Sequence, residues 1–136
     1  PAAYGVDRTA GSNPIRQPLT NLNEAGTLYG AIIYEKAPIV VRQLERLIGE
    51  EALRDGLREY LSTYAYSNAD WADLVTILNG QSDDDLVSWS RVWVDESGRP
   101  RIRSTLSTEE GLVTQLVLEQ EDPAGNGRLR NQRIDV

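Results

Sequence analysis

Ala37-Pro38-Ile39-Val40-Val41-Arg42-Gln43-Leu44-Glu45-Arg46-Leu47-Ile48-Gly49 is the stretch on which the fold reading turns. Val40, Val41, Leu44, Leu47 and Ile48 recur at helical spacing and so form one apolar stripe that needs a core to cover it. Pro38 suits a first helical turn, where its missing N–H would have no helical partner, and Gly49 supplies a stop. Outward from Gly49, Leu53, Leu57, Tyr60, Leu61 and Tyr64 mark a second amphipathic helix with Glu50 and Glu51 at its positive end. Gly56 inside it lowers helix propensity and permits close packing. Asn68 or Asp70 caps a third helix carrying Trp71, Leu74, Val75, Ile77 and Leu78 and stopping near Gly80. Leu86, Val87, Trp89, Val92 and Trp93 give a short fourth helix that runs into an extended segment.

The period then changes. Ser97-Gly98-Arg99-Pro100 is a turn signal, and Arg101 to Thr105, Leu112 to Gln120 and Leu129 to Val136 read as strands. Glu121 to Gly127 has the length and turn chemistry of a hairpin loop between the last two. Helices first and strands second predict an α+β chain, with an N-terminal α-helical lobe of about four helices followed by a small antiparallel β segment. Upstream, residues 1–23 contain Gly5, Gly11, Pro14 and Pro18 and read as an irregular leader. Three strands at the end of a chain leave an exposed sheet edge. The expectation is that they begin a larger sheet, with self-association through a strand edge as the other possibility.

Composition narrows the function classes. At 136 residues and 40% apolar content the chain is of single-domain size and globular, and it has no methionine, which suits a piece of a longer protein. No apolar run approaches the roughly 18 residues needed to cross a bilayer, so the segment has no membrane-inserting element. The net charge of −7 lies in residues 1–96, with eight basic and fifteen acidic side chains, whereas residues 97–136 carry six of each. Such a surface repels phosphate backbones, and no basic stripe offsets it, which argues against nucleic acid as a partner. Asp83-Asp84-Asp85 lacks the spaced oxygens, glycine and distal glutamate of a calcium loop and reads as charge at a helix start. The chain has no histidine and no cysteine, so disulfides, thiolate metal sites and an H-E-x-x-H helix are all absent from it.

Ahead of the first strong helix stands Tyr29-Gly30-Ala31-Ile32-Ile33-Tyr34-Glu35-Lys36, and behind it Gly56-Leu57-Arg58-Glu59-Tyr60-Leu61 and Tyr64-Ala65-Tyr66-Ser67-Asn68-Ala69-Asp70-Trp71-Ala72-Asp73-Leu74. In order and spacing these segments, from about Asp7 to the C terminus, resemble aminopeptidase-N-like zinc metallopeptidases (gluzincins), over the part just downstream of the metal-binding helix. The resemblance implies that residues 1–94 form a helical lobe of a thermolysin-like catalytic domain and that 95–136 start a β-sandwich-like domain. It implies a piece of a peptidase that hydrolyses peptide bonds when whole, with zinc as cofactor of the whole protein and none held here. Its partners would then be the remainder of the catalytic domain and a peptide substrate.

By the same resemblance Tyr34 corresponds to a catalytic tyrosine, and Tyr29 sits where some members carry a second active-site tyrosine. The chemistry is coherent. Attack of zinc-activated water on a peptide carbonyl creates an oxyanion, and a phenol that stays protonated at neutral pH can donate a hydrogen bond to it, contributing on the order of 3 kcal/mol. A tyrosine near a helix start is otherwise most often a core or boundary residue, and that ordinary reading stays the weightier one for Tyr29. Glu35 and Lys36 read as exposed helix-start charges, and Tyr60, Tyr64, Tyr66, Trp71, Trp89 and Trp93 as core or interface residues. The chain departs from the family in lacking the zinc helix, the downstream glutamate ligand and the glycine-rich exopeptidase strand. Ser12-Asn13-Pro14 stands where many members have serine-histidine-proline, and Ala37-Pro38 replaces a common glycine-alanine. The departures keep a second function open, a non-catalytic protein-interaction module derived from the peptidase scaffold.

Overall fold

A computed structural model describes residues 2–7, 9, 12–19, 21, 23, 26 and 30–136. Among the described residues, five α-helices precede one hairpin, in the order α1 (Ala2–Val6), α2 (Ala37–Ile48), α3 (Glu50–Thr63), α4 (Trp71–Gly80), α5 (Leu86–Ser90), β1 (Arg101–Glu109) and β2 (Leu112–Glu121). The α+β order stands, and α2–α5 are the four helices expected of the lobe. Two π-helical turns interrupt the regular pattern, Ile32–Lys36 running directly into α2 and Arg91–Asp95 continuing α5. Val92 and Trp93, read as part of the fourth helix, lie on this second turn and are buried with Val94, and Glu96 beyond it takes extended backbone angles.

Local chemistry accounts for the helix ends. Pro38 lies in the first turn of α2, and Gly49 at φ 90° ends α2 and begins α3 without the penalty a Cβ would bring in that left-handed region. Asp70 caps α4 by accepting the N–H groups of Ala72 and Asp73, while the Asp73 carboxylate accepts the Asp70 N–H, a reciprocal box. Asp85 accepts the Ser88 N–H at 2.9 Å, so the end of the aspartate run caps a helix. The four helices bury Val40, Leu44, Val75, Leu78, Leu86, Trp89, Val92, Trp93 and Val94 as one core, with Ile15 packed against it from the leader.

The expected irregular leader is tied down where it is described. It opens with the one-turn helix α1, Arg16 donates its N–H to Val94 O at 2.9 Å, and Asp7 is buried. The aromatic residues divide. Trp89 and Trp93 are core, Trp71 is half-buried with its indole N–H on Ser90 Oγ at 2.7 Å, and Tyr66 stands fully in solvent at φ 61°. Tyr66 is thus neither core nor interface within this chain, because it occupies the tip of the turn between α3 and α4.

β1 and β2 pair antiparallel from Arg101↔Glu121 to Glu109↔Leu112, with an irregularity at Ser107/Thr108. Glu110 and Gly111, both at positive φ, make the two-residue turn whose twist suits a hairpin. The strand predicted at Leu129 to Val136 does not form. That tail has no ladder partner, and its anchoring is by side chains: Gln120 takes both backbone groups of Arg130, accepting its N–H at 2.7 Å and donating to its C=O at 3.1 Å. Arg130 itself, 1% exposed, donates to Val92 O and Ser97 O at 3.0 and 2.9 Å and lies over the Trp93 ring. The loop before it is drawn together by Asp122, which accepts from the N–H groups of Ala124 and Arg128 and from the Arg128 guanidinium.

Candidate functional site

Tyr34 lies in the middle of the π-helical turn Ile32–Lys36, whose widened bond runs from the Ala37 N–H to Ile32 O. Single π turns of this kind recur at functional sites because they re-aim side chains within an otherwise regular helix. The Tyr34 N–H donates to Gly30 O at 3.0 Å, and the residue is 65% exposed. Tyr29, the second tyrosine of the sequence reading, lies outside the described residues.

Of the two charges beside Tyr34, Lys36 differs from its expected setting. Lys36 is 6% exposed and not a solvated helix-start charge. Its Nζ donates to Asp7 Oδ1 at 3.0 Å and to Gly98 O at 2.8 Å. Asp7 Oδ1 also accepts from Ser12 Oγ at 2.7 Å and from the Gly98 N–H at 3.2 Å. Burial pushes the Lys36 ammonium below the usual lysine range, with Asp7 pulling the other way. Glu35 is exposed, as expected, and its Oε2 accepts the Ala3 N–H of the leader at 3.1 Å.

The sequence reading missed this cluster, although a signal was present. Ile32, Lys36, Val40 and Leu44 recur every fourth residue, so the only lysine of the chain sits in the apolar stripe and had to be buried with a partner. Which carboxylate pairs with it depends on the leader folding back across 29 residues, and no local pattern carries that. Beneath the cluster a cleft of about 320 Å³ is lined by Ala3, Asp7, Lys36, Val40, Trp93 and Gln132.

Chemically, the exposed phenol can donate a hydrogen bond to an oxygen that gains negative charge. Lys36, two residues further on, is locked in its ion pair with Asp7. Among the described residues no group of three or more acidic side chains could hold a metal ion, and the sequence has no histidine or cysteine. The described residues do not fit a zinc centre. Among the described residues no helix is long and apolar enough to cross a membrane.

Residues 2–97, from α1 through the second π turn, match the family model for the peptidase family M1 domain. This chain belongs to peptidase family M1. Similarity to individual proteins extends beyond that segment. The chain is 30% identical over 141 residues to aminopeptidase N of Streptomyces lividans, an alignment covering 98% of this chain and 16% of that protein. It is 31% identical over 127 residues to the alanine/arginine aminopeptidase of Saccharomyces cerevisiae, covering 88% and 15%. Against aminopeptidase N of Lactococcus lactis the identity is 29% over 133 residues, covering 95% and 15%. The chain thus spans about one sixth of the length of the relatives it matches, and the M1 match holds α1 to α5 while leaving the hairpin outside.

Proposed function

We propose that this chain is the tyrosine-bearing part of a zinc-dependent aminopeptidase-type M1 peptidase, that Tyr34 stabilises the oxyanion formed when a peptide bond is attacked, and that the chain alone is inactive. The observation that carries the reading is the placement of Tyr34. It is held exposed at the head of α2 on a turn whose neighbouring side chain is buried and ion-paired, inside the segment that matches the family. The zinc ligands and the general base would come from residues outside this chain, and the chain's own share of the chemistry is the phenol hydrogen bond. The division into a helical lobe at 1–94 and the start of a β-sandwich-like domain at 95–136 is supported by the end of the family match at residue 97 and by the start of β1 at Arg101.

The test is aminopeptidase turnover by the whole protein with Tyr34 intact and as Tyr34→Phe, which removes only the hydroxyl. A fall of about two orders of magnitude in kcat with unchanged zinc content supports the reading, and unchanged turnover refutes it. Equilibrium dialysis of the chain alone should show no tight zinc binding; a stoichiometric nanomolar site would overturn the claim that the ligands lie elsewhere. One observation favours a second reading, a non-catalytic interaction module. Ile102, Leu106, Leu112, Val113, Leu116, Val117 and Leu118 are exposed on the hairpin, an apolar surface that invites a partner strand or sheet. Turnover by the whole protein separates the two.

A further inference from the structure

The Lys36–Asp7 pair joins three segments distant in sequence. Asp7 follows α1, Lys36 ends the π turn that carries Tyr34, and Gly98, at φ 85°, turns the chain toward β1. Both ion-pair side chains are nearly solvent-free, at 8% and 3% exposure. Gly98 is gripped through both backbone groups: its C=O accepts from Lys36 Nζ at 2.8 Å, and its N–H faces Asp7 Oδ1 and Ser12 Oγ, each at 3.2 Å. A buried ion pair costs desolvation of two charges, and a hydrophobic pair of similar volume would fill the same space at least as stably. What an ion pair with fixed hydrogen-bond directions adds is a defined orientation.

That orientation bears on Tyr34. At roughly 100° per residue, positions two apart on a helix lie on nearly opposite sides. Ile32 and Lys36, four apart, share the inward side, so drawing Lys36 into its pair turns Tyr34 outward. No side chain caps this turn, and Pro38 two residues further on contributes no N–H. Lys36 on Asp7 and Gly98, and Glu35 on the Ala3 N–H, are side-chain tethers that join the turn to the leader and to the Gly98 turn.

We infer that Lys36, through Asp7, is a positioning residue that sets the rotation of the π turn and so aims the Tyr34 hydroxyl at the reacting carbonyl. This inference rests on the peptidase reading of Tyr34. Lys36 touches no substrate: it acts by holding the turn, and a small rotation there moves a phenol hydroxyl at the end of a long rigid side chain out of hydrogen-bond range.

The experiment uses the whole protein, an aminoacyl anilide as substrate, and the variants Tyr34→Phe, Lys36→Met, Asp7→Asn and the pairwise combinations of each with Tyr34→Phe. Lys36→Met should lower kcat at least tenfold with KM within about twofold, because only an interaction formed in the transition state is lost. In the double variant the losses should not multiply, since Tyr34→Phe has already removed what Lys36 positions. Asp7→Asn keeps the side-chain shape and should show a smaller loss of the same kind; it decides the matter if Lys36→Met does not fold by circular dichroism. Losses that multiply with Tyr34→Phe, or a Lys36→Met enzyme with unchanged kcat, overturn the positioning role while leaving Tyr34 intact as a catalytic group. A Tyr34→Phe enzyme with unchanged kcat identifies a different failure, that of the peptidase reading itself.

Discussion

Gly56 sits in the middle of α3, where replacement by alanine would ordinarily stabilise a helix by about 1 kcal/mol. Here the sign should reverse. A Cβ built on Gly56 would lie 2.5 Å from Leu78 Cδ2, and Leu78, on α4, is 0% exposed in the centre of the core. Carbon atoms in contact prefer about 3.5–4.0 Å, so the α3–α4 separation or the Leu78 rotamer must give by roughly 1 Å. Overpacking of that kind costs about 1–3 kcal/mol, which exceeds the propensity gain and leaves Gly56→Ala destabilised by about 1 kcal/mol. The control is Leu78→Ala. It creates a cavity costing about 2–5 kcal/mol, but it removes the atom that the new Cβ would strike. In that background Gly56→Ala should be stabilising by about 1 kcal/mol, giving a coupling of about 2 kcal/mol between the two sites. Urea denaturation followed by tryptophan fluorescence reads all four corners of the cycle, because Trp89 and Trp93 share the core with Leu78. Stabilisation by Gly56→Ala in the Leu78 background would refute the reasoning.

Asp70→Ala removes the acceptor of the Ala72 and Asp73 N–H groups and should cost about 1 kcal/mol of stability, with faster amide exchange confined to the first turn of α4. Arg130→Met should leave Val92 O and Ser97 O without their donor, lowering stability by about 2–4 kcal/mol and accelerating exchange of residues 128–132; an unchanged exchange pattern would show that the tail is held by other contacts. The Arg128 guanidinium and two backbone N–H groups hold the Asp122 carboxyl well below the usual carboxylate range. A depressed folded-state value stabilises above the unfolded pKa of about 4 and is lost as pH falls below it, so limited proteolysis of the 122–128 loop should rise on acidification in the native chain and stay flat in Asp122→Asn.

The helical lobe was legible because its determinants are local. The apolar spacing of α2, the glycine stop at Gly49 and the Asp70 cap each act within one or two turns, and each stands where the pattern placed it. The hairpin was legible in its two strands, although its turn is Glu110-Gly111 and the Glu121 to Gly127 segment leads into the side-chain-anchored tail. The tail inverts the hydrophobic rule that made it look like a strand. Leu129 is 71% exposed while Arg130 is buried, because the carbonyls of Val92 and Ser97 offer the guanidinium fixed acceptors that no apolar side chain could use.

Sequence alone determined the α+β order, the helix limits of the lobe and the resemblance that singled out Tyr34, since spacing and caps are written in neighbouring residues. The tertiary structure alone decided that Lys36 is buried on Asp7 and Gly98, that Tyr34 consequently faces outward, and that the C-terminal tail is held by Arg130 and Gln120. Those outcomes turn on pairings across 10 to 62 residues, and for a charged or polar group the choice between water and a buried partner is made only when the chain brings the partner within hydrogen-bond reach.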